Sequence, residues 1–268
     1  MSSVVAGPAA PAQAAPEQPA ARADETELAR ELENPLSKLG SIPLQNQVDL
    51  GIGPYDRARN TLALLPTYGF ALTDDVSIVS RTNVPLVSQP DATRTSGYVS
   101  GLGDVVESLF VAPDATPLPG VAWGIGPTLL LPTATESALG AGKVGLGPAA
   151  VVVTQPKPWT LGLIAAQIWS VAGAANRADV SLLDLTGLAE LRFPAGWYVD
   201  TKPEITANWN AVSARNTWTV PVGGGGGKVF FAETLPLDVS LGAYWNAIRP
   251  VDGPSASVVM EIALLFPH

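Results

Sequence analysis

Apolar residues recur at every second position along much of the chain. In LDVSLGAYWNAI, residues 237–248, every odd position carries Leu, Val, Ala or Trp, and Asp, Ser, Tyr and Asn lie between them. A β-strand sends alternate side chains to opposite faces, so this segment predicts a strand with one apolar and one polar face. The same period is visible in residues 179–193, 197–210 and 256–266.

Turn-forming residues bound twelve segments of this kind, and their even spacing predicts an up-and-down arrangement. The predicted strands are 46–53, 60–72, 75–88, 99–112, 121–133, 143–154, 159–171, 179–193, 197–210, 215–231, 236–248 and 256–266. The connections are too short for crossover helices, so neighbouring strands should pair antiparallel. All but the first reach the roughly 9–11 residues that a tilted strand needs to cross a bilayer.

Prolines and a run of glycines interrupt the pattern. The prolines inside predicted strands are Pro66, Pro85, Pro132, Pro148, Pro203 and Pro221. Proline lacks the N–H that a central strand donates, so bulges or strand ends are expected there. The stretch VGGGGGKVF, residues 222–230, should form a bulge or a sharply bent strand. In two further strands, alternation places Glu107 and Gln167 on the apolar face.

Composition indicates which face meets which surroundings. Only 15% of the residues are charged, against roughly 25% in soluble domains. Two predicted strands carry Gly, Ala and Thr opposite their apolar face, at 124, 126 and 128 and at 145, 147 and 149. Small residues coat a soluble protein poorly but leave room inside a barrel. We therefore predict a transmembrane β-barrel, and a soluble β-barrel remains the alternative.

The composition also excludes several kinds of chemistry. The chain has no cysteine and a single histidine, His268, so disulfides, zinc sites and a Ser-His-acid triad are not expected. The formal net charge of −9 argues against a nucleic-acid partner. We predict no catalytic residue, no metal site and no cofactor.

The N-terminal region differs from the rest of the chain. Residues 1–22 are rich in Ala and Pro and are expected to be disordered, either as a linker or as the remnant of a signal peptide. Residues 23–44 should form a short amphipathic helix, 23–39, and a lead-in at the periplasmic mouth of the barrel. Residues 45–268 are assigned to the barrel domain.

Five stretches of the sequence resemble a known family. They are ENPLSKLGSIPLQNQVDLGIGP, SGLGDVVESLF, GIGPTLLLPTATE, KVGLGPAAVVV and the ending ALLFPH. In this order they resemble the bacterial outer-membrane barrel family associated with the MetA pathway of phenol degradation, sometimes labelled neuromedin U. The resemblance implies a closed antiparallel up-and-down transmembrane β-barrel of about 12 strands with a short N-terminal helix. It also implies a location in the outer membrane and uptake of small hydrophobic or aromatic compounds.

A barrel of this size should enclose a small, partly filled lumen. The polar residues expected to line it are Arg81, Asn83, Asp104, Asp184, Glu190, Arg192, Asp200, Lys202, Glu204, Asn208, Asn210, Asp238, Tyr244 and Asn246. These side chains line a passive channel in one interpretation. In another they pair with one another and close a structural or lipid-binding barrel that transports nothing. A lipid-modifying enzyme is disfavoured because the chain has no internal histidine.

An even number of strands places both termini on one side, which in such barrels is the periplasm. Cations cluster at the ends of the connections on the other side: Arg57, Arg59, Arg94, Lys143, Arg177, Arg215 and Arg249. Arginine binds phosphate in a bidentate fork, so these residues are expected to face lipopolysaccharide beside the outer-membrane lipid. The alternative is that they only keep the loops soluble.

Overall fold

The computed structural model of the protein describes residues 34–36, 40–91, 95–116, 118–233 and 235–266. They contain fifteen β-strands: β1 Gly40–Ile52, β2 Arg57–Leu64, β3 Thr67–Ala71, β4 Val76–Pro90, β5 Tyr98–Leu102, β6 Val105–Pro113, β7 Val121–Leu131, β8 Lys143–Thr154, β9 Trp159–Gly173, β10 Ser181–Arg192, β11 Trp197–Thr201, β12 Glu204–Asn208, β13 Trp218–Ala232, β14 Leu235–Ile248 and β15 Ala256–Phe266. A single turn of 3₁₀ helix spans Ala214–Asn216. The segment 1–22 and nearly all of the predicted helix 23–39 lie outside the described residues.

These strands close into a barrel. Three barrel strands consist of two consecutive pieces, β2 with β3, β5 with β6 and β11 with β12, so the described residues form twelve barrel strands. Neighbours pair antiparallel throughout, and β15 pairs with β1 from Gly40 opposite Phe266 to Leu50 opposite Ala256. The predicted closed, twelve-stranded antiparallel barrel is confirmed. The first strand begins at Gly40 rather than at residue 46, because Pro43 does not interrupt its pairing with β15.

The apolar face of the strands points outward. On β14, Leu241 and Trp245 are 61% and 62% exposed, whereas Asp238 and Asn246 on the opposite face are buried. On β7 the outward Ile125 is exposed and Thr128, which faces the interior, is buried. An apolar outside around a polar inside is the arrangement of a barrel whose surface contacts lipid. Among the described residues, no helix is long and apolar enough to cross a membrane.

Four of the six prolines lie at strand ends or irregularities, as expected, with Pro132 just after β7, whereas Pro85 and Pro148 lie inside the paired strands β4 and β8. Pro66 separates β2 from β3 and Pro203 separates β11 from β12, while Pro221 follows a register shift between β13 and β14. The ladder continues past two of them, because the carbonyl groups of Pro66 and Pro203 accept the N–H groups of Thr82 and Gly187.

The glycine run forms regular strand, and the predicted bulge at residues 222–230 is wrong. Strand β13 pairs residue by residue with β14 from Pro221 onward, and its register shift lies before the glycines. A Cβ atom on Gly225 would lie 2.3 Å from the Leu241 carbonyl oxygen, and one on Gly227 would lie 2.6 Å from Cζ of Tyr198. Tyr198 is the register partner of Gly227, so its ring fills the space that the missing side chain leaves.

The two ends of the barrel differ. The end that carries Gly40 and Phe266, here the terminus end, has connections of 2 to 7 residues. The opposite end, here the loop end, has connections of 4 to 11 residues, the longest being 132–142. Short turns on the periplasmic side and longer loops outside are typical of outer-membrane barrels.

Candidate channel lumen

Two adjoining cavities lie inside the barrel. The outer cavity, of about 280 Å³, is on the loop-end side, and polar residues of β1, β2, β11, β12, β14 and β15 line much of it. The inner cavity, of about 220 Å³, extends towards the terminus end. Four residues line both cavities, and we call them the waist: Gln45, Lys202, Glu204 and Glu261. The waist is therefore the boundary between the two halves of the lumen.

Local strand geometry positions each side chain of the waist. Gln45 and Glu261 are register partners on β1 and β15, and the Gln45 amide donates a hydrogen bond of 3.2 Å to the Glu261 carboxylate. Lys202 lies in the interruption between β11 and β12, where its backbone N–H donates to the Tyr244 hydroxyl at 3.0 Å. Its ammonium group lies 3.1 Å from a carboxylate oxygen of Asp200. The waist thus contains one ammonium group and two carboxyl groups, those of Lys202, Glu204 and Glu261.

A second ion pair lies in the outer cavity, nearer the loop end than the waist. Arg59 on β2 and its register partner Asp49 on β1 form a salt bridge of 2.7 Å. The Ser257 hydroxyl and the Gln47 amide also donate to the Asp49 carboxylate, at 2.7 and 2.8 Å. Arg59 was predicted to face lipopolysaccharide. The structure directs it into the lumen, because its strand position is on the inward face opposite Asp49.

The terminus end of the lumen is packed with apolar side chains. Leu36, which precedes β1, packs with Val79, Phe110, Ala112, Ala149 and Val151. Gly124 makes room for it, since a Cβ atom there would lie 3.1 Å from Leu36 Cδ2. The lead-in to β1 therefore enters the barrel, and Asn34 and Pro35 line the inner cavity.

Two buried polar pairs support this end of the wall. Glu190 and Arg192 form a buried salt bridge of 2.8 Å on β10. The Tyr198 hydroxyl lies 2.8 and 2.9 Å from the two carboxylate oxygens of Asp238, which is fully buried. Glu190, Arg192 and Asp238 were predicted as lumen residues. They do face the interior but border neither cavity.

The longest connection, 132–142, folds against the inner wall at the loop end. Its Leu139 is buried, and the Leu139 side chain would lie 3.3 Å from a Cβ atom on the inward-facing Gly101. The Asp104 carboxylate accepts the N–H groups of Ala134 and Ala141 at 3.1 and 2.6 Å. Asp104, predicted to line the lumen, instead holds this loop in place.

Three loop-end cations donate to backbone carbonyl groups at this end of the barrel. Arg57 donates to the carbonyl groups of Asp91 and Gly97, and Arg249 to those of Gly51 and Gly253. Arg177 donates to the carbonyl groups of Gly140 and Ala141. Arg215 is exposed, and Arg94 lies outside the described residues. Contact of these residues with lipopolysaccharide stays a prediction.

One loop-end cation forms an ion pair that perturbs a carboxyl group. Lys143 lies 3.0 Å from Asp179, and its hydrogen bond and positive charge hold the pKa of Asp179 below the usual value of 3.8. The carbonyl group of Asp179 also accepts a hydrogen bond from the Asn210 amide. Asn210 was predicted to line the lumen, but it lies in the connection after β12 because the strand ends at Asn208.

The other predicted lumen residues face inward, all from strands except Lys202, which lies between β11 and β12: Arg81, Asn83, Asp184, Asp200, Lys202, Glu204, Asn208, Tyr244 and Asn246. Arg81, Asp200, Lys202, Glu204, Tyr244 and Asn246 border a cavity. Sequence reasoning missed Gln45, Gln47, Asp49, Ser257 and Glu261. The predicted strand 46–53 left out Gln45, whereas the other four lie inside the predicted strands 46–53 and 256–266, at alternate positions opposite the apolar rows.

The solved structures with this fold include outer-membrane channels. A COG4313 outer membrane channel from Pseudomonas putida F1 superimposes with a TM-score of 0.62 at 16% sequence identity, over 85% of this chain and 94% of that one. The NanC porin gives a TM-score of 0.52 at 10% identity, over 85% of this chain and 100% of that one. No family model and no curated protein matches the sequence. The similarity therefore concerns the fold.

Proposed function

We propose that the protein is a passive channel of the bacterial outer membrane, through which small molecules cross by way of the waist. The observation that carries this proposal is the pair of adjoining cavities inside a barrel with an apolar outer surface. The folds of the COG4313 channel and the NanC porin support it, and we propose no enzymatic role.

The mixture of apolar and charged residues that line the lumen indicates which class of substrate the channel would accept. Pro43, Leu65, Ile164 and Leu188 contribute apolar surface to the inner cavity, next to the charged waist. A small molecule with an apolar body and a polar group would contact both kinds of surface. Together with the resemblance to the phenol-degradation family, this lining favours small aromatic compounds that carry a polar group.

Uptake into liposomes tests the proposal. Phenylalanine is a suitable probe because it is aromatic and, as a zwitterion, crosses lipid slowly. We expect liposomes that contain the protein to take it up faster than protein-free liposomes. Ser240→Trp should slow uptake because Ser240 lines the outer cavity, whereas Val239→Trp, on the outward face of the same strand, should not. Uptake equal to that of protein-free liposomes would exclude a channel for this class of compound.

A closed barrel without transport is the second candidate. The apolar packing of Leu36 and Phe110 across the terminus end favours it, because this packing narrows the exit from the inner cavity. Folded protein that admits neither phenylalanine nor small ions would support this candidate.

A further inference from the structure

The outer surface of the barrel is not uniformly apolar. Seven polar residues of β1, β2, β4, β5 and β6 point outward and lie away from the ends of their barrel strands. We call them the polar sector: Asn46, Asn60, Ser80, Thr82, Ser88, Ser100 and Glu107. The other eight described barrel strands carry three polar residues at such positions: Gln167, Thr201 and Lys228. The polar residues are therefore concentrated on one side of the barrel.

Hydrogen bonds and strand register connect the polar sector into two groups. Asn46 and Asn60 exchange hydrogen bonds of 3.2 and 3.1 Å between their side-chain amides. Ser88 is the register partner of Asn60, and it accepts a hydrogen bond of 2.8 Å from Ser100. These four residues form a continuous row across four neighbouring strands.

The second group contains a carboxylate. The Ser80 and Thr82 hydroxyls donate to the two carboxylate oxygens of Glu107, at 2.6 and 2.5 Å. Ser80 and Thr82 are near the middle of the 15-residue strand β4, so this group lies at mid-height of the wall. An ionisable residue at this depth is costly against hydrocarbon and usually marks a functional contact.

Lipid cannot complete the hydrogen bonding of the polar sector. Each paired amide keeps one further N–H group, and the Glu107 carboxylate keeps free lone pairs. Hydrocarbon tails offer neither donors nor acceptors, whereas another protein surface offers both. The polar sector therefore has the chemistry of a contact between proteins inside the membrane.

We propose that the polar sector is the interface with a second copy of this chain, in a parallel dimer. All copies enter the outer membrane in the same orientation, so a twofold axis along the membrane normal places each side chain at the height of its counterpart. Amide and hydroxyl groups both donate and accept, so the row of Asn and Ser residues is complementary to itself across such an axis. The proposal does not depend on transport, since each barrel keeps its own lumen.

Disulfide cross-linking in outer membranes tests the interface. The chain has no cysteine, so single-cysteine variants need no prior substitution. Ser80→Cys, Thr82→Cys, Ser88→Cys and Ser100→Cys are oxidised with copper phenanthroline in the full-length protein. The matched control is Ala150→Cys, which points outward from the middle of β8. We expect a covalent homodimer as the main product of at least one variant in the polar sector, and monomer for the control.

Three outcomes would overturn the proposal: monomer for all four variants, equal cross-linking of the Ala150→Cys control, or a mixed disulfide with a different protein.

A second measurement does not depend on cysteine geometry. Native mass spectrometry of the wild-type protein in mild detergent should show twice the monomer mass. Glu107→Leu combined with Asn46→Leu should shift it to the monomer, whereas Gln167→Leu, on the other side of the barrel, should leave the dimer intact. A wild-type protein that is monomeric in this measurement also overturns the proposal.

Discussion

At the scale of single residues, the interior depends on polar groups that form hydrogen bonds with one another. The buried Asp238 carboxylate accepts the Tyr198 hydroxyl, and Asp49 accepts hydrogen bonds from Arg59 and Ser257. A buried carboxylate that loses a hydrogen-bond donor still carries the free-energy cost of its removal from water, and nothing offsets that cost. These contacts therefore stabilise the wall that encloses the lumen.

Tyr198→Phe removes one donor from Asp238 and keeps the aromatic ring over Gly227. We expect the free energy of unfolding to fall by about 1–3 kcal/mol, measured by urea denaturation in detergent. Tyr55→Phe is the control, because Tyr55 is exposed in the connection after β1. Equal stability of Tyr198→Phe and wild type would show that the buried hydrogen bond contributes nothing.

The ion pair of Lys143 and Asp179 predicts a pH dependence at the loop end. Because the folded pKa of Asp179 is lowered, the stabilising contribution of the pair is present above the unfolded value of 3.8 and is lost as the pH falls through the lower folded value. A carboxyl-carbon NMR titration should place the Asp179 midpoint below 3.8, and Lys143→Met should raise it. A midpoint that Lys143→Met does not move would contradict the assigned cause.

At the scale of elements, the glycine run allows the neighbouring strand to approach β13 more closely than any side chain would permit. Gly225 lies so close to the backbone of β14 that any side chain must displace it. Gly225→Ala should lower the free energy of unfolding by about 1–3 kcal/mol through overpacking. Gly187→Ala should be tolerated, since its Cβ atom would make an ordinary contact of 3.6 Å with Pro203. Denaturation of both variants in detergent compares them directly, and equal stability would show that the close approach is not a constraint.

The lead-in to β1 is the second element with a testable role. Leu36 packs inside the terminus end, so a chain that lacks residues 1–36 should have a wider exit from the inner cavity. We expect a larger single-channel conductance from this deletion than from the full chain. Unchanged conductance of a folded deletion variant would remove the lead-in from any role in narrowing the lumen.

The sequence predicted elements better than it predicted contacts. Alternation and turn-forming residues together located twelve barrel strands, because a strand with one apolar face repeats every two residues and ends at a turn. It also placed Lys202, Glu204 and Tyr244 on the inward face. It did not locate the pairing of Arg59 with Asp49 or the loop held by Asp104, because these depend on the register between strands and on the path of a loop. The glycine run was misread because the ring that covers it comes from β11.

At the scale of the whole molecule, the barrel presents an apolar surface outside and a divided polar lumen inside. The waist residues border both cavities, and Glu204 is one of them, on a strand whose next residue, Ile205, points outward. If small molecules and ions cross the barrel through its lumen, their path passes Glu204 and does not pass Ile205. This is the central claim of the proposed function.

Single-channel current recorded before and after thiol modification tests this claim most directly. Glu204→Cys and Ile205→Cys place one cysteine each on the two faces of β12, in a chain that has no other. A bulky thiol reagent should reduce the current through Glu204→Cys and leave the current through Ile205→Cys unchanged. A current that persists at full size after mass spectrometry shows complete modification of Glu204→Cys would contradict the account.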